Sequence, residues 1–265
     1  MPVNDELGKR MKIFYEQIPK YKLMRRTPVC IRLDGKAFHS YTKGFAKPFD
    51  EVLIKSMQET MKCLCENIQG VVIGYHQSDE IPLILQDYKR LSTSAWFDYE
   101  VQKLCSISAS MATAVFNKVF KNNIYQYEAE MVRKNYPADM IKQFEAYKNA
   151  SQKCAMFDSR CFNIPKEEVA NLIYWRQLDA TRNSIQMIGQ TYFSHKELQG
   201  KSCNEIQDML MTQKGINWND LPVYQKRGSC CIKETKWVID TEIPIFVNGA
   251  RSYIEDRMNC EEGDA

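Results

Sequence analysis

The segment from Val71 to Leu85, VVIGYHQSDEIPLIL, admits few structures. An apolar run reaches Tyr75, the polar residues His76, Gln77, Ser78, Asp79 and Glu80 follow, and a second apolar run starts at Ile81. This is the pattern of two short buried strands joined by a turn. Adjacent acids at a hairpin tip need solvent or a cation to receive them. Upstream, Cys30-Ile31-Arg32-Leu33-Asp34-Gly35 reads as another apolar strand ending on an acid and a glycine. If these strands are neighbours, Asp34 and Asp79 meet at one sheet edge, where each raises the other's pKa unless a divalent cation lies between them. The pair reads as a Mg²⁺ site for chemistry on a nucleotide. The plainer alternative is that Asp34 caps a turn while Asp79 and Glu80 decorate an exposed hairpin. Gly35, which permits close backbone approach, and Ser78, which can hydrogen-bond a phosphate, favour the metal site. Mg²⁺ takes oxygen ligands and shares them with substrate phosphates, so two carboxylates and a carbonyl suffice. Two such ions orient a 3′-hydroxyl and stabilise a leaving pyrophosphate.

The remaining elements supply the frame. Leu7, Met11, Phe14 and Tyr15 predict an amphipathic helix over residues 4–24, broken at Thr27-Pro28. Val29–Leu33 is the first strand, and the Lys-, Gly- and aromatic-rich segment 36–48 is a loop or short helical turn. Asp50 caps a helix carrying Leu53, Met57, Met61, Leu64 and Ile68, which stops near Gly70. After the hairpin, residues 94–120 form a long helix, and Arg160–Ile164 supplies a further strand. The order is that of an α+β ferredoxin-like βαββαβ antiparallel sheet with helices on one face. Residues 121–150 read as a polar helical insertion and solvated face. Helices are predicted at 166–190, 204–212 and about 250–258, and strands around 230–232 and 237–239. Gly200-Lys201-Ser202 resembles the end of a P-loop, but His195 occupies the place of the required earlier glycine, which excludes the motif.

Composition narrows the class. With 265 residues, 44% hydrophobic and 26% charged, the chain is globular. The absence of internal repeats and flexible linkers predicts a single catalytic domain over 1–265, with its core at about 25–120 plus 155–165 and a C-terminal helical and strand region at about 166–265. A net charge of +3 does not by itself imply nucleic acid. The ten cysteines include no CxxC pair with matching ligands, which disfavours structural zinc. The N-terminus lacks the apolar core of a signal peptide, and no apolar run approaches the ~20 residues that span a bilayer. A cytoplasmic protein with free thiols and no membrane contact is expected.

Further candidates cluster after the first acid. The main-chain N–H groups of Gly35, Lys36, Ala37 and Phe38 can cradle a triphosphate, with Lys36, His39, Lys43 and Lys47 nearby; the same lysines also fit an ordinary surface. Arg176, Arg182, Lys226 and Arg227 fit an RNA backbone or a solvated face equally well. Trp175 reads as core more readily than as a base-stacking platform.

Three ordered motifs carry a resemblance: Ile31-Arg32-Leu33-Asp34-Gly35-Lys36-Ala37-Phe38-His39, Gly44-Phe45-Ala46-Lys47-Pro48-Phe49-Asp50, and Gly74-Tyr75-His76-Gln77-Ser78-Asp79-Glu80. Together they resemble the tRNA-histidine guanylyltransferase family and its relatives, the guanylyltransferase-like 3′-to-5′ RNA polymerases. Weaker similarity extends through Phe157-Asp158-Ser159-Arg160, Trp175-Arg176-Gln177 and Leu221–Gly228. The resemblance implies a ferredoxin-like polymerase palm that adds nucleotides to the 5′ end of tRNA. ATP activates a 5′-monophosphate, or a 5′-triphosphate is used directly, and the 3′-hydroxyl of an incoming GTP or other NTP attacks. It further implies that Asp34, Gly35 and Asp79 hold two Mg²⁺ ions, with Glu80 as an essential acid. His39, Lys47 and Ser78 fall in the nucleotide or activation site, Arg176 lies near the RNA end, and the molecule is a homotetramer. Family members that add an extra G to tRNA-histidine carry His-Ile-Asn-Asn after the Trp-Arg-Gln motif. Here Thr181-Arg182-Asn183-Ser184 stands instead, with Arg182 and Asn183 as the candidate RNA contacts. That change favours templated repair of 5′-truncated tRNA. A palm-fold nucleotide cyclase and a non-catalytic RNA-binding protein are the competing readings.

Overall fold

The computed structural model describes residues 5–260. The chain runs α1 (Asp5–Met11), β1 (Val29–Gly35), α2 (Phe38–Tyr41), α3 (Glu51–Asn67), β2 (Val71–His76), β3 (Glu80–Leu85), α4 (Val101–Arg133), α5 (Ala138–Ser151) and β4 (Phe157–Asn163). It continues with α6 (Val169–Tyr192), α7 (His195–Leu198), α8 (Cys203–Lys214), α9 (Val223–Arg227), β5 (Ser229–Lys233), β6 (Trp237–Asp240) and α10 (Ser252–Glu255). All neighbouring strands are antiparallel, in the order β4-β1-β3-β2-β5-β6. The first four in that order are the ferredoxin-like set, and β5 and β6 extend the sheet beyond β2.

Alternation along the strands divides the core. Val29, Ile31 and Leu33 of β1 and Ile81, Leu83 and Leu85 of β3 face Met57, Met61 and Leu64 of α3 and Leu104, Phe116 and Phe120 of α4. Cys30, Ile73 and Ile84 face the other way and are covered by Val169, Ala170 and Ile173 of α6 and by Ile254 and Met258. The two palm helices thus share one face, and the C-terminal region closes the other. Beyond the sheet, Ile185 and Ile188 of α6 pack with Ile206 and Leu210 of α8 and with Trp218.

Three boundaries differ from the sequence expectation. The first helix, from Asp5, continues as one π-helical turn over Lys12–Glu16 and then stops; residue 4 lies outside the described part. Leu7, Met11, Phe14 and Tyr15 are all exposed, so its apolar stripe has no cover among the described residues. Helix α4 starts at Val101 rather than Ser94, because Phe97, Asp98 and Tyr99 take left-handed conformations incompatible with a continuous helix. Within residues 121–150, α4 runs on to Arg133 rather than ending at 120, and α5 docks against it. Ile124, Met131, Met140 and Tyr147 are buried there, so this stretch is core on one side.

Candidate active site

Strand β1 ends at Asp34-Gly35, and β3 begins just after Asp79. In the register Asp34 lies opposite Glu80 on one side and Asp158 of β4 on the other. The Gly35 N–H donates to the Asp79 carbonyl oxygen at 3.0 Å, closing the two strand ends together. Ser78 and Asp79 form the two-residue turn between Gln77 and Glu80, with Ser78 held at φ +53° and its hydroxyl donating to Asp79 Oδ1 at 3.1 Å. Burial raises the Asp79 pKa, and the charge of Asp34 raises it further. The nearest cation to Asp34 is Arg160, whose Nη2 is 3.8 Å from Oδ2 and closer, at 3.2 Å, to Asp158.

The two aspartates therefore share a site with an excess of negative charge, the electrostatic setting a divalent cation relieves. Among the described residues no cluster of three or more His, Cys, Asp or Glu side chains forms a metal cage. The donor set fits Mg²⁺ on those terms, since this ion keeps waters and substrate oxygens in its shell.

Glu80 differs from its neighbour. It is buried; Arg32 Nη2 donates to its Oε2 at 2.9 Å and Arg176 Nη2 to the same oxygen at 2.7 Å. Arg32 Nε stands 2.9 Å from Oε1 but off the hydrogen-bonding direction. Glu80 is thus the centre of a charge clamp joining β1, β3 and α6. Sequence reading missed Arg32, although an arginine inside an apolar strand was a signal that a buried acid awaited it.

Fewer main-chain N–H groups are open at the expected cradle than the sequence suggested. The Gly35 N–H is taken by Asp79 and the Lys36 N–H by Met156 O at 2.8 Å. Free N–H groups, among the described residues, begin at Ala37, whose left-handed backbone (φ +55°) turns the chain into α2. The Phe38 side chain is buried in an aromatic cluster with Tyr41, Phe116 and Phe157. Beside this turn a cavity of about 310 Å³ is lined by His39, Thr42, Ala46, Lys47, Ser78 and Asp79, with Met187 of α6 opposite. Lys47 also lines a larger cavity with Gln186, Gln190, His195 and Lys201. Lys36, His39 and Lys47 are exposed. His76 is buried and lowered to about 4 by that burial, so its neutral ring donates from Nε2 to the Ser78 carbonyl at 3.0 Å and supports the turn.

The expected RNA contacts separate into two groups. Arg176 is 5% exposed and bound to Glu80 and Asp179, and Lys226 is buried with Nζ on the Asn219 carbonyl at 2.5 Å. Neither is free to meet an RNA backbone, because each already serves an interior acceptor. Arg182 is exposed beside Asp179, and Asn183 and Arg227 are half-buried. Trp175, expected in the core, is 52% exposed.

Residues 8–165 match the family model described as Thg1: tRNAHis guanylyltransferase. The chain belongs to that family. A bacterial tRNA(His) guanylyltransferase (Thg1)-like protein solved in complex with ATP is 46% identical, with a TM-score of 0.80 over 95% of this chain and 99% of that one. A bacterial Thg1-like protein in complex with GTP is 39% identical, with a TM-score of 0.75 over 96% of this chain and 99% of that one. The tRNA(His) guanylyltransferase of Saccharomyces cerevisiae is 28% identical over 215 residues, 76% of this chain and 80% of the yeast protein. The fold is therefore the palm-type fold of the family, and the chain is a nucleotidyltransferase.

Proposed function

We propose that this family member extends the 5′ end of tRNA in the 3′-to-5′ direction, with ATP, GTP and other NTPs as co-substrates. The observation that carries the reading is the junction of Asp34 and Asp79, tied through Gly35, with Asp79 lining a cavity together with His39, Lys47 and Ser78. Asp34, the Gly35 carbonyl and Asp79 would hold Mg²⁺, which lowers the barrier to attack by a 3′-hydroxyl and stabilises departing phosphate oxygens. Lys47 and the N–H groups of the Ala37 turn neutralise and orient phosphates. Ser78 fixes the Asp79 carboxylate, and Glu80 acts by locking the sheet to α6 rather than by touching substrate.

The substitution of Thr181-Arg182-Asn183-Ser184 for the His-Ile-Asn-Asn run supports templated repair of truncated tRNA over dedicated G addition. Arg182, Asn183 and Arg227 are the polar residues of the predicted set left open to RNA. The uncovered apolar stripe of α1 supports assembly into a homotetramer.

The test incubates the protein with a 5′-truncated tRNA transcript, Mg²⁺, ATP and labelled GTP. Growth at the 5′ end is expected, in step with the opposing strand, and absent in Asp34→Ala and Asp79→Ala. A folded wild type that never extends RNA, or that converts GTP to a cyclic product without RNA, overturns the reading.

A further inference from the structure

Trp175 breaks the rule of its surroundings. It lies on α6, the helix that closes the second face of the sheet, directly before buried Arg176 and Gln177, yet half of it is open to solvent. Its position is nevertheless fixed. The Arg176 guanidinium carbon is 4.6 Å from the indole centroid and that of Arg32 is 5.8 Å, within the range of cation–π attraction. Both guanidinium groups are anchored on Glu80, so the ring rests against a clamp that is itself rigid. Arg32 precedes Asp34 by two residues on β1, which puts their side chains on the same face of the sheet, about 7 Å apart along the strand.

An exposed indole resting on the arginine that stands two residues before the first acid suits one ligand chemistry above others, the flat face of a nucleobase. The base is not that of the incoming nucleotide, since the cavity beside Asp79 is lined from α2, the following loop and Met187, without Trp175. Further along α6, seven residues on and hence on the same helical face, the Arg182 side chain pairs with Asp179 and stays open to solvent, a cation within the same exposed strip. We infer that Trp175 is the stacking platform for the base at the 5′ end of the RNA, holding that end over Asp34 while the nucleotide cavity fills from the other side. This rests on the function proposed above and names the surface that receives its RNA substrate.

The test uses the full chain and a 5′-monophosphorylated RNA hairpin with a truncated 5′ end. Without nucleotides, titration with the hairpin is expected to quench the tryptophan fluorescence of the wild type and to lose that component in Trp175→Phe. In the extension assay Trp175→Leu is expected to raise the KM for RNA roughly five- to a hundredfold, the range of one lost base stack, with the KM for NTP and kcat within about twofold of wild type. Trp175→Phe, whose ring still stacks, retains most of the RNA affinity. Thermal melting of each variant separates lost stacking from lost folding. An unchanged KM for RNA in Trp175→Leu overturns the inference while leaving the polymerase reading intact. So does a rise in the KM for NTP instead, or an equal loss in Phe and Leu variants together with lowered stability. A wild type that binds no RNA overturns both.

Discussion

The Gly35 N–H donates to the Asp79 carbonyl oxygen at 3.0 Å, so the two acids are joined through the main chain as well as by charge. A Cβ added at Gly35 would lie 2.4 Å from Cδ2 of Phe38, whose ring is wedged among Tyr41, Phe116 and Phe157. Gly35→Ala is expected to displace that ring or the strand end, lowering extension activity by on the order of 10²-fold and stability by about 1–3 kcal/mol. Steady-state kinetics and urea unfolding on the same preparation check both.

Removing either aspartate leaves the core untouched, since both side chains stand at strand ends and remain partly exposed. Asp34→Ala and Asp79→Ala are expected to lower nucleotide incorporation by on the order of 10³-fold or more, with near-wild-type circular dichroism. Incorporation of labelled GTP into the RNA 5′ end measures the loss.

The pKa of Asp79, raised by burial and then by Asp34, gives a stability prediction with a definite sign. A carboxyl whose folded pKa is raised stabilises the fold while protonated. That contribution is complete below the ordinary carboxylate range and is lost as pH rises through the raised value. Without divalent metal, Asp79→Asn should therefore melt higher than wild type at neutral pH, the gap closing in acid. Added Mg²⁺ should raise the melting temperature of wild type but not of the variant. Thermal melts across the acid-to-neutral range follow the effect.

Breaking the Glu80 clamp acts on the fold first. Arg176 and Glu80 are both buried, and removal of one partner leaves the other charge unpaired in the interior. Glu80→Ala and Arg176→Ala are each expected to cost about 3–5 kcal/mol. Activity should fall in parallel with the folded fraction measured by chemical denaturation.

Much of the frame was legible because its signals are local. The alternation in β1 and the hairpin, the Asp50 cap that accepts from the Leu53 N–H at 2.9 Å, and the spacing of Met57, Met61 and Leu64 each reflect a single element. The meeting of Asp34 with Asp79 followed from the ferredoxin-like order that those elements imply. What stayed hidden depends on pairing between distant elements. Arg176 and Lys226 looked like surface cations until Glu80 and the Asn219 carbonyl supplied interior partners. Trp175 looked like core because nothing in its neighbours says that the next residue, not the indole, turns inward. The Glu- and Lys-rich segment 121–150 concealed Tyr147, whose burial arises from rings contributed by Phe45, Phe120 and Tyr127.

That tyrosine ties the periphery to the chemistry. Its hydroxyl donates at 2.7 Å to Asp50 Oδ2, the same oxygen that receives the Ala46 N–H at 2.8 Å, while Asp50 Oδ1 caps α3. One carboxylate thus welds α5 to the loop bearing Lys47. Any load on the outer helix pair is transmitted through this weld as a lever arm on the segment that carries the exposed Lys47.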